Sequence, residues 1–434
     1  MKYLLPLLLP AFIYAQSFMI SQIPLPKTYI ENLDPYRCDD ACLQDFLDKG
    51  MIFSFLAHAD GKLENKELDD IRKMHVSIFN LGTFNSRGGL NIAMLLPYNK
   101  IGKYASSTTN AVFAYLMTKS DSFELKSYKI ESEDIGDIKA AFNKIQADGF
   151  DYVIAPFTKQ GVENVILLDP NLNIYFPTIN KNDVNSTSPY LYFGGINYKK
   201  QSKLLLKEAV SPLVIFSDRS QTGRELAKYQ KEEFLNPTID INETMTYDEE
   251  VSVYDMPEDS NELVIPDDES IDENLSEEKR VINFTISRRT TNLEKYLKEN
   301  EDIANASFFI NTPVIKTGMI MSQLTLYDTN TTNILSTQIN YDPLILSMTQ
   351  YVDREKMIIA NSITEENNVL IEANSLLHND IVYDWINYST TIGIDYFYKR
   401  ITGQEREYKI PMEDNQMVYD IELIRPGLSR FFSY

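Results

Sequence analysis

The 434-residue chain predicts an α/β protein of two Rossmann-like lobes preceded by a small helical segment. Three observations carry that prediction. Apolar runs of strand length alternate with helix-length segments, the pattern of parallel strands under crossover helices. The alternation comes in two runs, one on each side of about residue 198. A long helical segment and a hairpin then return after the second run. The implied parts are residues 1–15, a signal peptide; 16–88, the helical segment; 89–197, the first lobe, completed by 381–434; and 198–380, the second lobe, with an acidic, disordered insert at about 236–279.

The N-terminus has the features of an export signal. Lys2 is a short positive region, "YLLPLLLPAFIY" is an apolar core, and Ala15 is a small residue placed for cleavage. Its two prolines and short length argue against a membrane span, and no Cys follows to take a lipid. The expected product is a periplasmic protein cleaved near Ala15; the alternative is a buried N-terminal helix. Beyond Pro24 and Pro26, "LQDFLDKGMIFSFLA" and "ELDDIRKMHVSIFNL" have apolar residues three and four apart, as helices do. Between them, "HADGKLENKEL" has Asp60, Gly61, Leu63 and Glu67 where a calcium loop would, but Leu56 and His58 are not hard oxygen donors. The same turn resembles that of tellurite-resistance B-like domains; a plain helical hairpin turning at Gly61 also fits. Cys38 and Cys42 are the only cysteines. In an oxidising compartment they predict a small structural disulfide, the alternative being two free thiols.

"NIAMLLP" begins the first run as a buried parallel strand. "SSTTNAVFAYLMTK" follows as a helix with hydroxyl residues placed to cap it. "FELKSYKI" and "DYVIAPF" read as strands two and three, with the helix "DIKAAFNKIQADGF" between them, and "NIYFPTI" and "YLYFGGI" as strands four and five. The second run reads as helix "KKQSKLLLKEAV", strand "PLVIFS", helix "TGRELAKYQKEEF", strand "RVINFTIS", helix "TNLEKYLKEN" and strands "ASFFINT" and "MIIANSI". "YDWINYSTTIGIDYFYKRI" reads as one long helix opened by Asp384, and "REYKIPMEDNQMVYDIELIRP" as an antiparallel hairpin turning at "MEDNQ".

The net charge of −22 is concentrated: residues 232–278 hold 18 acids and no Lys or Arg, leaving 45 acids against 41 bases elsewhere. The folded parts are therefore nearly neutral. No basic face of the size nucleic acid needs is visible, and "SRR" at Ser287–Arg289 is too small to supply one. Four strings have an acid two residues before an Asn-x-Ser/Thr acceptor, at Asn185, Asn242, Asn274 and Asn330. Bacterial oligosaccharyltransferases that modify periplasmic proteins ask for that acid, which a basic group on the enzyme can pair with. Chance in an Asn- and acid-rich chain is the competing explanation.

No catalytic motif occurs, and the three histidines lie outside any nucleophile–base pattern. The expectation is a non-enzyme without cofactor or metal. Ligands of open α/β sheets bind at strand carboxyl ends and helix N-termini. That rule nominates Tyr98, Ser106, Ser107 and Thr158 in the first lobe and Asp218 in the second, with Thr312 a weaker candidate. The alternative is that Ser106 and Ser107 cap a helix and Tyr98 packs on the surface.

The stretches "NIAMLLPYNKIGKYASSTTNAVFAYL", "FDYVIAPFTKQGVENVI" and "YDWINYSTTIGIDYFYKRITG", with the closing hairpin, resemble the type I periplasmic ligand-binding family, including its penicillin-binding-protein activator branch. The resemblance spans roughly Asn91 to Pro426. It implies two lobes, with the helix after the first strand lining a cleft, and a possible small-molecule ligand between the lobes. "PFTKQG" stands where that family has the small residues that hold an amino acid's carboxylate and amine. The expected role is therefore a partner-binding scaffold or regulator of a cell-envelope process, such as peptidoglycan synthase activation. The alternatives are a solute receptor for uptake and a structural part of a large envelope machine such as a motor or secretion apparatus.

Overall fold

The computed structural model describes residues 30–79, 90–119, 121, 123–238 and 279–434. The export signal, Asn242, Asn274 and the acidic run from 239 to 278 lie outside them. The chain divides into two compact units, Met1–Ile174 and Tyr175–Tyr434.

The first unit opens with three helices, α1 (Asp40–Asp48), α2 (Ile52–His58) and α3 (Lys66–Ile78). The sequence suggested one helix across α1 and α2. The chain breaks it at Gly50, whose φ of +69° is open to glycine at little cost. Leu43, Phe55, Leu56, Ala59 and Leu68 form the cluster's buried centre, each large side chain contributing about 1.5–3 kcal/mol. Cys38 and Cys42 form a disulfide with their Cα atoms 5.3 Å apart. Asp39 between them caps α1 by accepting from the Cys42 N–H at 2.9 Å. In α3, the buried Asp69 accepts from the N–H of Leu63 in the preceding turn and pairs with Arg72 at 2.8 Å and Lys73 at 2.7 Å. The two cations, Lys73 foremost, hold its carboxyl well below the usual carboxylate range.

Strand β1 (Leu90–Leu96) is flanked by parallel strands β2 (Phe123–Lys129) and β3 (Tyr152–Ile154). Helices α4 (Tyr98–Ile101) and α5 (Tyr104–Met117) connect β1 to β2, α6 (Ile135–Ala147) connects β2 to β3, and α7 (Lys159–Leu168) leads to β4 (Asn173–Phe176). Helix α7 was not foreseen from sequence. Residues 30–36 lie against β2: Glu31 meets the Leu125 backbone, and Lys129 lies over the Tyr36 ring at 4.4 Å.

The unit boundary falls inside β4. Its start pairs beside β3, where the Asn173 N–H donates to Asp151. Its end pairs with β5 (Leu191–Phe193), where the Gly194 N–H donates to Phe176. In the first unit β1 lies between β2 and β3, and in the second the order is β11-β12-β5, with the short hairpin β11 (Met412–Glu413) and β12 (Gln416–Met417) beside β5.

The second unit adds α8 (Tyr198–Leu206), β6 (Leu213–Ser217), α9 (Gln221–Leu235), β7 (Val281–Thr285), α10 (Glu294–Leu297), β8 (Ala306–Asn311), α11 (Val314–Leu326) and β9 (Thr331–Ser336). After these come α12 (Leu344–Met348), α13 (Tyr351–Arg354), β10 (Met357–Asn361), α14 (Asn368–Leu376), α15 (Trp385–Thr402), β13 (Glu422–Pro426) and β14 (Phe431–Ser433). Its sheet runs β14-β13-β10-β9-β8-β6-β7. Three expectations need correcting. The predicted helix at 291–300 is a single turn. Helix α11 and strand β9 were missed. The closing hairpin pairs only through β11 and β12, because Leu423 and Ile424 leave it for an antiparallel register on β10.

Helix α15 is buried over most of its length. Its Gly393 lies against the Tyr175 ring, and a Cβ there would collide with the ring. The Tyr175 hydroxyl donates to the Ser389 carbonyl at 3.0 Å, and burial pushes its pKa up to about 12. Trp385 meets Tyr419 edge-on at 4.6 Å. Fully buried Asp395 takes Arg406 at 2.8 Å and the Glu407 N–H at 2.8 Å, tying the chain beyond α15 back to the helix. Among the described residues no helix is long and apolar enough to cross a membrane.

Replacing Asp395 with Ala strands the Arg406 guanidinium, so urea unfolding should show a loss of about 3–5 kcal/mol. Glu31 gives a pH prediction. Burial, reinforced by Glu124 and opposed by the Leu125 N–H, raises its carboxyl to about 7. Below pH 4.5 the acid is protonated folded and unfolded, and its burial costs nothing through ionisation. As pH rises towards 7 only the unfolded chain gives up the proton, so stability falls. Glu31→Gln should remove that slope and raise stability at neutral pH by about 2–3 kcal/mol, read as melting temperature against pH.

Candidate functional site

The carboxyl ends of the parallel strands were the predicted site, and each unit fills one of those ends with its own carboxylate. In the first unit, Thr158 follows β3 and caps α7, accepting from the Gly161 N–H at 3.5 Å. A free helix N-terminus offers unpaired N–H groups and a partial positive charge. Here Glu133, from the loop after β2, occupies that position. One carboxylate oxygen accepts from the Thr158 N–H at 2.8 Å, and the other accepts from the Thr158 hydroxyl. The Glu133 main-chain carbonyl is held in turn by the Asn164 amide at 2.8 Å. Glu133 is 5% exposed. Gly161 makes room for it: a Cβ there would stand 2.7 Å from the Glu133 Cδ.

The second unit repeats the device with a shorter acid. Asp218 follows β6, and its Oδ1 accepts from the Ser220 N–H at 3.0 Å and from the Ser220 hydroxyl at 2.5 Å. Ser220 caps α9 by accepting from the Gly223 N–H at 3.0 Å, and a Cβ on Gly223 would collide with the Asp218 carboxylate. Both helices thus begin hydroxyl-x-x-Gly, and in both the hydroxyl accepts from the glycine N–H while donating to an acid.

The remaining nominees have local roles. Tyr98 opens α4 and meets Tyr36 edge-on at 5.6 Å; its hydroxyl is pushed up to about 12, chiefly by burial. Ser106 and Ser107 do not cap α5, which starts two residues earlier. The Ser106 hydroxyl donates to the Lys103 carbonyl at 3.0 Å, and the buried Ser107 hydroxyl has no hydrogen-bond partner among the described residues. Thr312 is fully buried against Thr317 at 2.8 Å, out of reach of a ligand. Asn185 is exposed in an irregular loop. The Asn330 side-chain amide, the atom a glycan would join, donates to Asn305 at 2.6 Å.

Sequence reasoning missed Glu133 and the open depression of about 540 Å³ around Asp218, Arg219, Ser220, Ser287, Arg288 and Arg289. Glu133 lies in the acid-rich "ESEDIGD", which reads as a solvated loop. The legible signal was the glycine three residues after each hydroxyl cap. Among the described residues no group of three or more His, Cys, Asp and Glu could hold a metal ion.

Glu133→Ala should leave the Thr158 N–H and hydroxyl unpaired and cost about 2–3 kcal/mol in urea unfolding. Gly161→Ala alone should cost about 1–3 kcal/mol through overpacking. The double variant should cost less than the sum, because removing the acid vacates the space the new methyl needs.

No family model matches the chain, and no curated protein matches it in sequence. Solved structures are similar to it in fold. A leucine-binding protein from Thermotoga maritima superposes with a TM-score of 0.51 at 10% identity, covering 80% of this chain and 97% of that one. A putative branched-chain amino acid ABC transporter protein from Rhodospirillum rubrum gives 0.52 at 10% identity, over 80% and 100%. The C-domain of LpoA from Haemophilus influenzae, a regulator of PBP1A, gives 0.46 at 10% identity, over 79% and 99%. At such identities the likeness establishes architecture alone, and the first two establish it: this chain has the type I periplasmic binding-protein fold.

Proposed function

We propose that this protein is a non-enzymatic, exported scaffold or regulator that works in the periplasm by binding a protein partner of the cell envelope. The observation that carries this reading is Glu133. In an open α/β sheet, the helix N-terminus at a strand carboxyl end is the ready-made place to receive an anionic metabolite. At α7 that position is held by a nearly buried carboxylate with hydrogen bonds from both the Thr158 N–H and the Thr158 hydroxyl. At α9 the half-buried Asp218 takes the N–H and the hydroxyl of Ser220 in the same way. Displacing either by a free carboxylate would exchange a tethered anion for one that must also lose its translational freedom. A solute-uptake role would therefore have to use other groups. Within the envelope, a peptidoglycan synthase is one partner this reading admits.

Two measurements test the reading. The mature protein should show no rise in melting temperature with amino acids or other small carboxylates, since a ligand at about 100 times its Kd would add about 2.7 kcal/mol. Affinity capture from envelope extracts should recover a partner above background; a metabolite-dependent stabilisation with no partner would turn the reading over to a solute receptor. In the same preparation, intact mass should be short of residues 1–15. Glycan, where present, should sit on Asn185 in preference to Asn330, whose amide is already engaged.

A further inference from the structure

Among the described residues, strand β7 is the edge of the second unit's sheet. Its ladder to β6 is bounded by two hydrogen bonds, from the Leu213 N–H to the Arg280 carbonyl and from the Ile286 N–H to the Ser217 carbonyl. In a parallel pair, alternate residues face the partner strand. The even-numbered residues therefore face β6, and Val281, Asn283 and Thr285 direct their backbone N–H and C=O groups outward. Natural edges are commonly guarded by charged side chains on the strand or by a covering segment. The first unit's edge strand β2 has both, with Glu124, Lys126 and Lys129 on it and residues 30–36 against it. The β7 segment, "VINFT", carries no charge.

The groove this edge leads into is cationic. Two residues beyond Ile286, Arg288 and Arg289 join Arg219 around the depression of about 540 Å³ at the start of α9. All three are exposed, and among the described residues no carboxylate lies within ion-pair distance of any of their guanidinium groups. Asp218, the acid in the same depression, is bound to Ser220. Three clustered guanidinium groups without an ion-pair partner among the described residues mark a place where an external carboxylate would be accepted through paired N–H donors.

We infer that β7 and the Arg219–Arg288–Arg289 cluster form one docking surface for an extended acidic segment of a partner protein. The segment adds as a strand outside β7 and places its carboxylates on the arginines. Backbone pairing supplies the docking and the arginines supply the choice of an acidic sequence. This rests on the partner-binding reading above and names the chemistry of the partner.

The test uses the full mature chain and a fluorescein-labelled peptide of alternating Glu and Val, with a Lys–Val peptide as control, followed by fluorescence anisotropy. Saturable binding of the acidic peptide alone is expected. Arg288→Glu with Arg289→Glu should weaken it by about tenfold or more. Asn283→Pro should weaken it comparably by removing an outward N–H and leaving the β6 ladder whole. Thr285→Pro, equally outward, serves if Asn283→Pro melts early. Absence of binding, or binding that ignores the arginine reversal, overturns the inference. So does displacement by inorganic phosphate combined with indifference to both proline variants, which would make the cluster a small-anion pocket. If the charge-reversed protein still captures the same envelope partner as the wild type, this surface is wrong while the partner-binding reading stands. If the wild type captures none, that reading fails by itself.

Discussion

The second unit depends on one close approach, the Tyr175 ring against Gly393. A side chain at 393 would push α15 away from β4 by about the width of a methyl group, and the interior is too tightly packed to absorb that. The helix can be buried on nearly all sides because its inward residues include Ser389, Thr390, Thr391 and Gly393. Their hydroxyl groups find acceptors close by: Ser389 donates to Gly194, Thr390 to Ile386 and Thr391 to Asn387. Small polar residues thus do here what large apolar ones do in β6 and β8, and the Tyr175–Ser389 bond accompanies that approach.

The electrostatics of the two strand-end sites separate naturally. Positive charge from a helix terminus is local and directional, and a single tethered acid with a hydroxyl beside it satisfies it. Positive charge from guanidinium groups extends further from the backbone and needs a partner with several acids. The protein answers the first kind internally, with Glu133 and Asp218, and leaves the second kind exposed at Arg219, Arg288 and Arg289.

Much of this architecture was legible in the sequence. Strands β1, β6, β8 and β10 are continuous apolar runs, which only a strand buried on both faces requires. Helix α15 was legible from its Asp384 cap and the Gly403 stop, with φ of +75°. Helix α7 was hidden because Gly161 in its first turn reads as a breaker, although it is there to admit Glu133. Helix α11 lacks a side-chain cap at Pro313, so nothing announced its start. The 291–300 segment has Leu293 and Leu297 one turn apart, the minimum for a helical pattern, and the chain leaves the helix at Glu299, with φ of +53°. Thr158 and Asp218 lie just beyond β3 and β6, the strand ends the sequence pointed to. The partnership of Thr158 with Glu133 was not legible, because the two are 25 residues apart and no local pattern joins them.

The fit between Glu133 and Gly161, and between Asp218 and Gly223, also bears on how this sequence can drift. Neither member of a pair can change first without loss: a methyl on the glycine collides with the acid, and loss of the acid leaves the hydroxyl cap and its N–H unpaired. Each pair is therefore an evolutionary ratchet that opens only when both positions move together. Descendants of this chain that keep the acid should keep the glycine, and those that replace the glycine should carry a change at the acid as well.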